Sequence, residues 1–242
     1  MTFDSNIILA CWLGRFDYFD AMNLQNLLHS NILNHKSNHT ILFLEHNEVL
    51  TFGSTERISP NIFKDLKEIY RKKGYMVAKS SRGGQITLHN PGQLVCYPII
   101  NIKKYFSGII EYVNFLEEII IKTLNVYGVD GHRVSKRRGI WVDGLENEKF
   151  NVNNNPSGAK IGAIGLKIVR NVSMHGFSLN VNNDLEMYNS FTPCGMENLN
   201  VTSLGEKTQI KYDLYKVSKE IVKNMEIELN SKINFIPKSK LI

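Results

Sequence analysis

Between residues 82 and 93 the chain reads Arg-Gly-Gly-Gln-Ile-Thr-Leu-His-Asn-Pro-Gly-Gln. Arg82, a permanent cation, and His89, an imidazole able to exchange a proton, bracket Gly83 and Gly84. Two adjacent glycines carry no Cβ, so the backbone there can come close to a ligand. Pro91-Gly92 then turns the chain. The run Leu94 to Ile100 is apolar and suits a buried strand. A polar, glycine-rich loop that feeds a core strand is a candidate binding loop. Taken alone, it also fits a tight hairpin.

A second chemical candidate is Cys194, set between Pro193 and Gly195. A thiol on so sharply shaped a segment has backbone amides nearby, which could stabilise an oxyanion. Most cysteines are small buried residues, and the local sequence leaves both readings open. Cys11 and Cys96 sit in apolar runs and read as packing. Lys160 opens Lys-Ile-Gly-Ala-Ile-Gly-Leu. An ammonium beside a cysteine favours the reactive thiolate, although the local sequence by itself describes a strand-end lysine that reaches water. His175-Gly176 repeats the pairing of a polar group with a glycine inside a strand, where glycine marks a close approach. His175 reads equally well as a core histidine.

These residues need elements to hold them. The pattern predicts a first strand at Ile7 to Ala10 and an amphipathic helix from Tyr18 to Leu33. A strand is expected at Ile41 to Leu44, a helix from Pro60 to Arg71 and a strand at Tyr75 to Ala78. Ile109 to Leu124 has helical spacing, and Gly139 to Val142 reads as a strand that turns at Asp143-Gly144. Residues 145–158, rich in asparagine, read as a surface insertion. Lys160 to Val169 and Val172 to Val181 form a strand pair turned at Arg170-Asn171, and Leu214 to Met225 marks a last helix. Helices interspersed with strands imply an α/β fold, a mixed sheet covered by helices, in one domain spanning residues 1–242.

Composition narrows the partners. The 242 residues are 43% hydrophobic, enough for a sizeable core. No run approaches the roughly 20 apolar residues of a membrane-spanning helix. Three cysteines without ligand spacing argue against a disulfide framework or a metal site. The net charge of +6 favours an acidic partner, and Arg133, Lys136, Arg137 and Arg138 form one local basic cluster. No aromatic-interleaved basic motif supports nucleic-acid binding. No clear leader is visible at the start of the chain.

Taken together, the segments resemble the lipoyl(octanoyl) transferase family. The resemblance runs through Trp12-Leu13-Gly14, Gln25, the stretch from Leu44 to Gly53, Arg82 to His89, Pro91-Gly92-Gln93 and Tyr97-Pro98-Ile99. It resumes at Lys160 to Gly165, His175 to Asn180, Pro193-Cys194-Gly195 and Val201 to Leu204. The resemblance implies the fold of lipoate and biotin protein ligases, with a larger and a smaller sheet. It implies that Cys194 is the acyl-thioester nucleophile and that Lys160 lowers the thiol pKa and shuttles protons. It implies an acyl pocket lined by Arg82, Gly83, Gly84, Gln85, Ile86, Thr87, Leu88 and His89, by Ala163, Ile164 and Gly165, and by Gly176, Phe177 and Ser178. The implied donor is octanoyl-acyl carrier protein. The implied acceptors are lipoyl domains of 2-oxoacid dehydrogenase E2 subunits or the glycine cleavage H protein. No cofactor, metal, nucleic acid or membrane is implied, and the chain is expected to act as a monomer. The expected location is the cytoplasm in a bacterium, or a plastid-type organelle or mitochondrion in a protist. The nearest rival, an ATP-dependent lipoate-protein ligase on the same fold, shows an extra glycine in the loop where Gln85 stands here. It also has no need of a cysteine at position 194. A non-catalytic module that binds acyl carriers or lipoyl domains would not need both Cys194 and Lys160.

Overall fold

The computed structural model describes residues 7–144, 158–191 and 199–241. Eight strands build the larger sheet: β1 (Ile8–Arg15), β2 (His39–Glu45), β6 (Gln93–Ile99), β7 (His132–Val134), β8 (Arg137–Val142), β9 (Ala159–Val169), β10 (Val172–Asn180) and β11 (Ile233–Ile236). Their order is β11-β1-β2-β6-β10-β9-β8-β7. A smaller sheet has the order β4-β3-β5, from β3 (Val49–Phe52), β4 (Met76–Lys79) and β5 (Ile86–His89). Five helices are described: α1 (Tyr18–Leu33), α2 (Pro60–Lys72), α3 (Ile109–Val126), α4 (Leu204–Thr208) and α5 (Leu214–Leu229).

The larger sheet is covered on both faces, which explains its nearly continuous apolar strands. Ile41 and Phe43 of β2 face one side with Leu94 and Cys96 of β6, where α3 and α5 pack. Leu42, Leu44, Val95, Tyr97 and Ile99 face the other, against Ala21, Leu24 and Leu28 of α1. Asp17 starts α1 by accepting from the amides of Phe19 and Asp20. Arg170 and Asn171 both take positive φ, 49° and 65°, so β9 and β10 meet through a left-handed two-residue turn.

The structure departs from the expected elements in the smaller sheet. Residues 82–93 are not loop throughout, because Ile86–His89 forms β5 and pairs antiparallel with β3. Ile86 and Leu88 point away from the cavity described below and pack with Phe52 and Val77. Four-residue strands such as β3 and β5, and the edge strands β7 and β11, are too short to carry a clear period. The described residues include no helix long and apolar enough to cross a membrane.

Gly176 bears out the close approach expected of it, and the approaching group is protein. A Cβ at 176 would lie 2.1 Å from the Cys96 carbonyl oxygen. Beside it His175 adopts φ 57°, and the Ser173 hydroxyl donates to the Pro98 carbonyl at 2.7 Å. Pro98, with no N–H, interrupts the ladder here, and β10 and β6 pair regularly only from Phe177 onward.

Two histidines pin strands to their surroundings, and their partners fix the tautomers. His46 Nδ1 donates to the Phe16 carbonyl at 2.8 Å, so Nε2 accepts from the Tyr97 hydroxyl at 2.9 Å. His39 Nε2 accepts from the Asn101 amide at 3.2 Å, so Nδ1 donates to the Tyr105 hydroxyl at 2.9 Å. Each ring is bound as the neutral form. Burial lowers the pKa of both from 6.5 to about 4.

A pH dependence of stability follows. Above about pH 6.5 both folded and unfolded rings are neutral, and the contribution is complete. Below that the unfolded chain takes up protons that the folded rings refuse until about pH 4. Each ring therefore costs about 1.4 kcal/mol of stability per pH unit across that window. Urea midpoints should hold from pH 8 to 7 and drop steeply from 6.5 to 4.5, with His46→Gln flattening the drop by about one proton. Midpoints that do not change between pH 7 and 5 would contradict this.

Candidate active site

The cavity lies between the two sheets and has a volume of about 280 Å³. Its walls bring together Arg82, Gly84, Gln85, Thr87 and His89 from the glycine loop and β5. Lys160, Ala163, Ile164 and Gly165 come from β9, and Gly176, Phe177 and Ser178 from β10. Ile86 and Leu88 are not on this wall, because side chains alternate along β5. Gly83 is also absent from it, since its amide donates to the Leu166 carbonyl at 2.8 Å and stitches the loop to β9.

Arg82 serves the loop before it serves a ligand. Its side chain is 8% exposed, and a buried guanidinium must find acceptors. Nη2 donates to the Thr51 carbonyl at 2.8 Å and to the Gln85 carbonyl at 2.7 Å. Nη2 and Nε also reach the Thr51 hydroxyl, and Nη1 donates to the Gly83 carbonyl. The glycines accommodate this clamp. A Cβ on Gly53 would sit 2.1 Å from the Gly84 carbonyl oxygen, and one on Gly165 would sit 3.0 Å from Arg82 Cδ. Gly84 itself has φ +89°, a left-handed conformation that favours glycine.

Lys160 is nearly buried on the cavity wall, with Nζ 5.6 Å from the centroid of the buried Trp141 ring. Gly139 makes room for it, because a Cβ there would lie 2.7 Å from Lys160 Cε. The Lys160 backbone is held on both sides by the chain that follows residue 198. Its amide donates to the Asn200 carbonyl at 2.8 Å, and its carbonyl accepts from the Thr202 amide at 3.0 Å. Cys194 lies outside the described residues. Tyr188, on the chain before it, and Leu199 and Val201, on the chain after it, share a small cleft with Lys160, Thr87 and Ser178.

A network of buried amides fixes those flanks. The two hydrogens of Gln93 Nε2 are shared among the Leu88 carbonyl, the Asn180 side-chain oxygen and the Tyr188 hydroxyl, and that hydroxyl donates in turn to the Leu88 carbonyl at 3.2 Å. Asn180 in turn donates to the Thr202 carbonyl at 3.0 Å, and Asn90 to the Asp184 carbonyl at 2.7 Å. Ahead of the undescribed stretch, the Tyr70 hydroxyl of α2 donates to the Ser190 carbonyl at 2.9 Å.

Sequence reasoning left out Tyr18 and Thr55, which also line the cavity, and did not place Tyr97 or His175 in it. Tyr18 falls on the apolar face of an amphipathic helix, which reads as core. His175 hydrogen-bonds through Nε2 to the Ser81 hydroxyl at 3.1 Å, and burial pushes its pKa down to about 3.

The basic cluster divides in two. Arg133 and Arg138 pair with Glu117 of α3, at 3.3 and 3.4 Å, and Glu117 also accepts from the Gly139 amide. Glu117 is 2% exposed, so these arginines answer a buried charge. Lys136 and Arg137 lie at the hairpin between β7 and β8, on the cavity rim together with Arg138.

The arrangement resembles known proteins in sequence and in fold. The lipoyl protein ligase A/B catalytic domain matches residues 17–226. An octanoyltransferase from Parabacteroides distasonis is 34% identical over 222 residues, covering 90% of this chain and 96% of the relative. An octanoyltransferase from Desulforamulus reducens is 37% identical over 211 residues, covering 87% and 86%. Among solved structures, a lipoate-protein ligase A bound with ATP aligns with a TM-score of 0.67 at 15% identity, over 95% of this chain and 88% of that one. A biotin protein ligase from Aquifex aeolicus aligns at 0.55 and 15%, over 92% and 70%. The structural likenesses establish the fold, and the sequence likenesses establish the branch. With a polar-rimmed cavity between two sheets and a nearly buried lysine on its wall, the chain belongs to the octanoyltransferase family within the lipoyl protein ligase A/B catalytic domain.

Proposed function

We propose that this octanoyltransferase moves its acyl group through a thioester on Cys194, with Lys160 as the proton carrier. Octanoyl-acyl carrier protein is the donor, and a lysine of a lipoyl domain is the acceptor. The observation that carries the reading is the setting of Lys160. It is 7% exposed, lies on the cavity wall and is hydrogen-bonded to the chain that follows Cys194.

The chemistry proceeds in two displacements. The Cys194 thiolate attacks the thioester carbonyl, and an adjacent ammonium favours that thiolate over the thiol. The carrier thiolate leaves and takes a proton from the Lys160 ammonium, giving an acyl-cysteine and a neutral lysine. The acceptor amine then attacks the acyl-cysteine. Its surplus proton passes to Lys160, an amide forms and Cys194 leaves as thiolate. A covalent intermediate divides one difficult exchange into two easier ones. Both thioesters are already activated, so ATP takes no part. The apolar wall at Ile164 and Phe177 suits an alkyl chain. The basic rim at Lys136 and Arg137 suits the phosphodiester and acidic surface of a carrier protein.

Lys160→Ala should retain its melting transition and lose transfer at least about 100-fold, the usual effect of removing a general acid–base group. The pH profile of Cys194 alkylation should move to higher pH in the same variant. An unshifted profile would remove Lys160 from this role. Transfer in a reconstituted mixture of octanoyl-carrier protein and apo lipoyl domain should proceed without ATP. A strict ATP requirement would instead identify ligase chemistry.

The two halves of the basic cluster should separate experimentally. Arg137→Glu should raise KM for the carrier-bound donor more than for octanoyl-pantetheine. Arg138→Glu should lower stability by about 1–3 kcal/mol, because buried Glu117 loses a donor. Equal KM effects on both donors would show that Arg137 does not receive the carrier.

A further inference from the structure

Exposure separates the rim of the cavity from its buried lining. Thr55, Gly84, Lys136 and Arg138 are exposed at the rim, whereas Tyr18, His89, Tyr97 and His175 are buried. Arg82, Thr87, Lys160, Phe177 and Ser178 are buried lining too, but the phenol and imidazole rings form one contact group through His46 and Tyr97, and this ring cluster is taken as the closed end. His89 stands in it with the fully buried His46 behind, ring centroids 5.6 Å apart.

The hydrogen bonds of Gln93 determine the tautomer of His89. Gln93 Nε2 donates to the Leu88 carbonyl, which can only accept, so its other amide atom is the oxygen. That oxygen lies 2.6 Å from His89 Nδ1, which must donate to it. Nε2 of His89 then carries a lone pair, and no partner to it is present among the described residues. Burial keeps the ring neutral, with a pKa of about 3, so Nε2 stays an acceptor across the physiological range. Water that enters the cavity would satisfy such an acceptor. An alkyl chain that reaches it would strand it against a methyl group, which is unfavourable.

We propose that His89 is the specificity-determining stop for acyl-chain length, its Nε2 acceptor marking the depth beyond which an apolar chain is rejected. This rests on the reading of the cavity as the acyl site. A chain tipped with a hydroxyl would donate to Nε2 and escape the penalty. The closed end thus discriminates by chemistry as well as by length.

The test uses carrier proteins charged with C8, C10 and C12 chains, each with and without a terminal hydroxyl, and compares kcat/KM. In the wild-type enzyme the plain chains should fall off with length. At the length where they fail, the terminal hydroxyl should restore kcat/KM on the order of 10- to 100-fold, the equivalent of satisfying a stranded acceptor. His89→Leu should abolish the hydroxyl advantage and raise the C10 to C8 ratio at least tenfold. His89→Gln, which keeps an acceptor, should hold the ratio near wild type. The hydroxyl comparison needs only the wild-type enzyme, so it stands even if His89→Leu does not fold. No hydroxyl effect at any length, or an equal loss for all chains in both variants, would overturn the stop. Ala163→Phe, which adds a bulky ring to the cavity wall, separates the two readings. If transfer from every chain survives it, the cavity is not the acyl site. If it blocks transfer while hydroxyl tips change nothing, only the stop is wrong.

Discussion

The rest of the site depends on one buried cation. Arg82 carries its guanidinium between the sheets, and the backbone around it is arranged to supply acceptors at Thr51, Gly83 and Gln85. That requirement holds the end of β3 against the glycine loop, and Gly53, Gly84 and Gly165 are small where the clamp closes. The loop is then tied to β9 through Gly83 and Leu166. A cavity wall assembled in this way is rigid before any substrate arrives, which lowers the cost of ordering it on binding. Charge and close backbone approach, two features that suggest ligand contact in the bare sequence, here serve first to unite two sheets.

Polar burial is the second recurring device. The amides of Asn90, Gln93, Asn180 and Asn183 satisfy one another and the backbone on either side of the segment that carries Cys194. Of these four amides only the Asn183 side-chain oxygen has no partner among the described residues, and a network so nearly satisfied specifies one arrangement, since unpaired buried groups are costly. It also couples distant motifs. The turn after β5, the end of β10 and the chain leading into α4 must all be in register before the flanks of that segment meet Lys160. His39, His46 and His89 obey the same rule, with each neutral tautomer dictated by a backbone amide, a backbone carbonyl or a side-chain amide oxygen.

Much of this was legible in the sequence, and the exceptions share a cause. The span of α1 was readable from its apolar period, and the β9–β10 hairpin from Arg170-Asn171 between two apolar runs. The smaller sheet was implied by the family resemblance and its β4 was expected at Tyr75 to Ala78, but β3 and β5 were not read, because each is four residues long and β5 lies inside a stretch dominated by glycine and polar groups. Most of the expected pocket residues do share one wall, whereas Ile86 and Leu88 face the core behind it. Tyr18 carried no chemical signal, since helical spacing marks it only as core. The role of Arg138 was hidden for a different reason: its partner Glu117 is 21 residues away on α3, and no local pattern connects them.

The central claim is that the acyl group rests on Cys194 between donor and acceptor. Intact mass of the enzyme mixed with octanoyl-carrier protein alone tests it most directly. The account predicts one added octanoyl group, removed by neutral hydroxylamine, mapped to the peptide containing Cys194 and discharged on addition of apo lipoyl domain. Transfer to the acceptor in full yield with no adduct at any time, or with the adduct on Cys11 or Cys96, would contradict it.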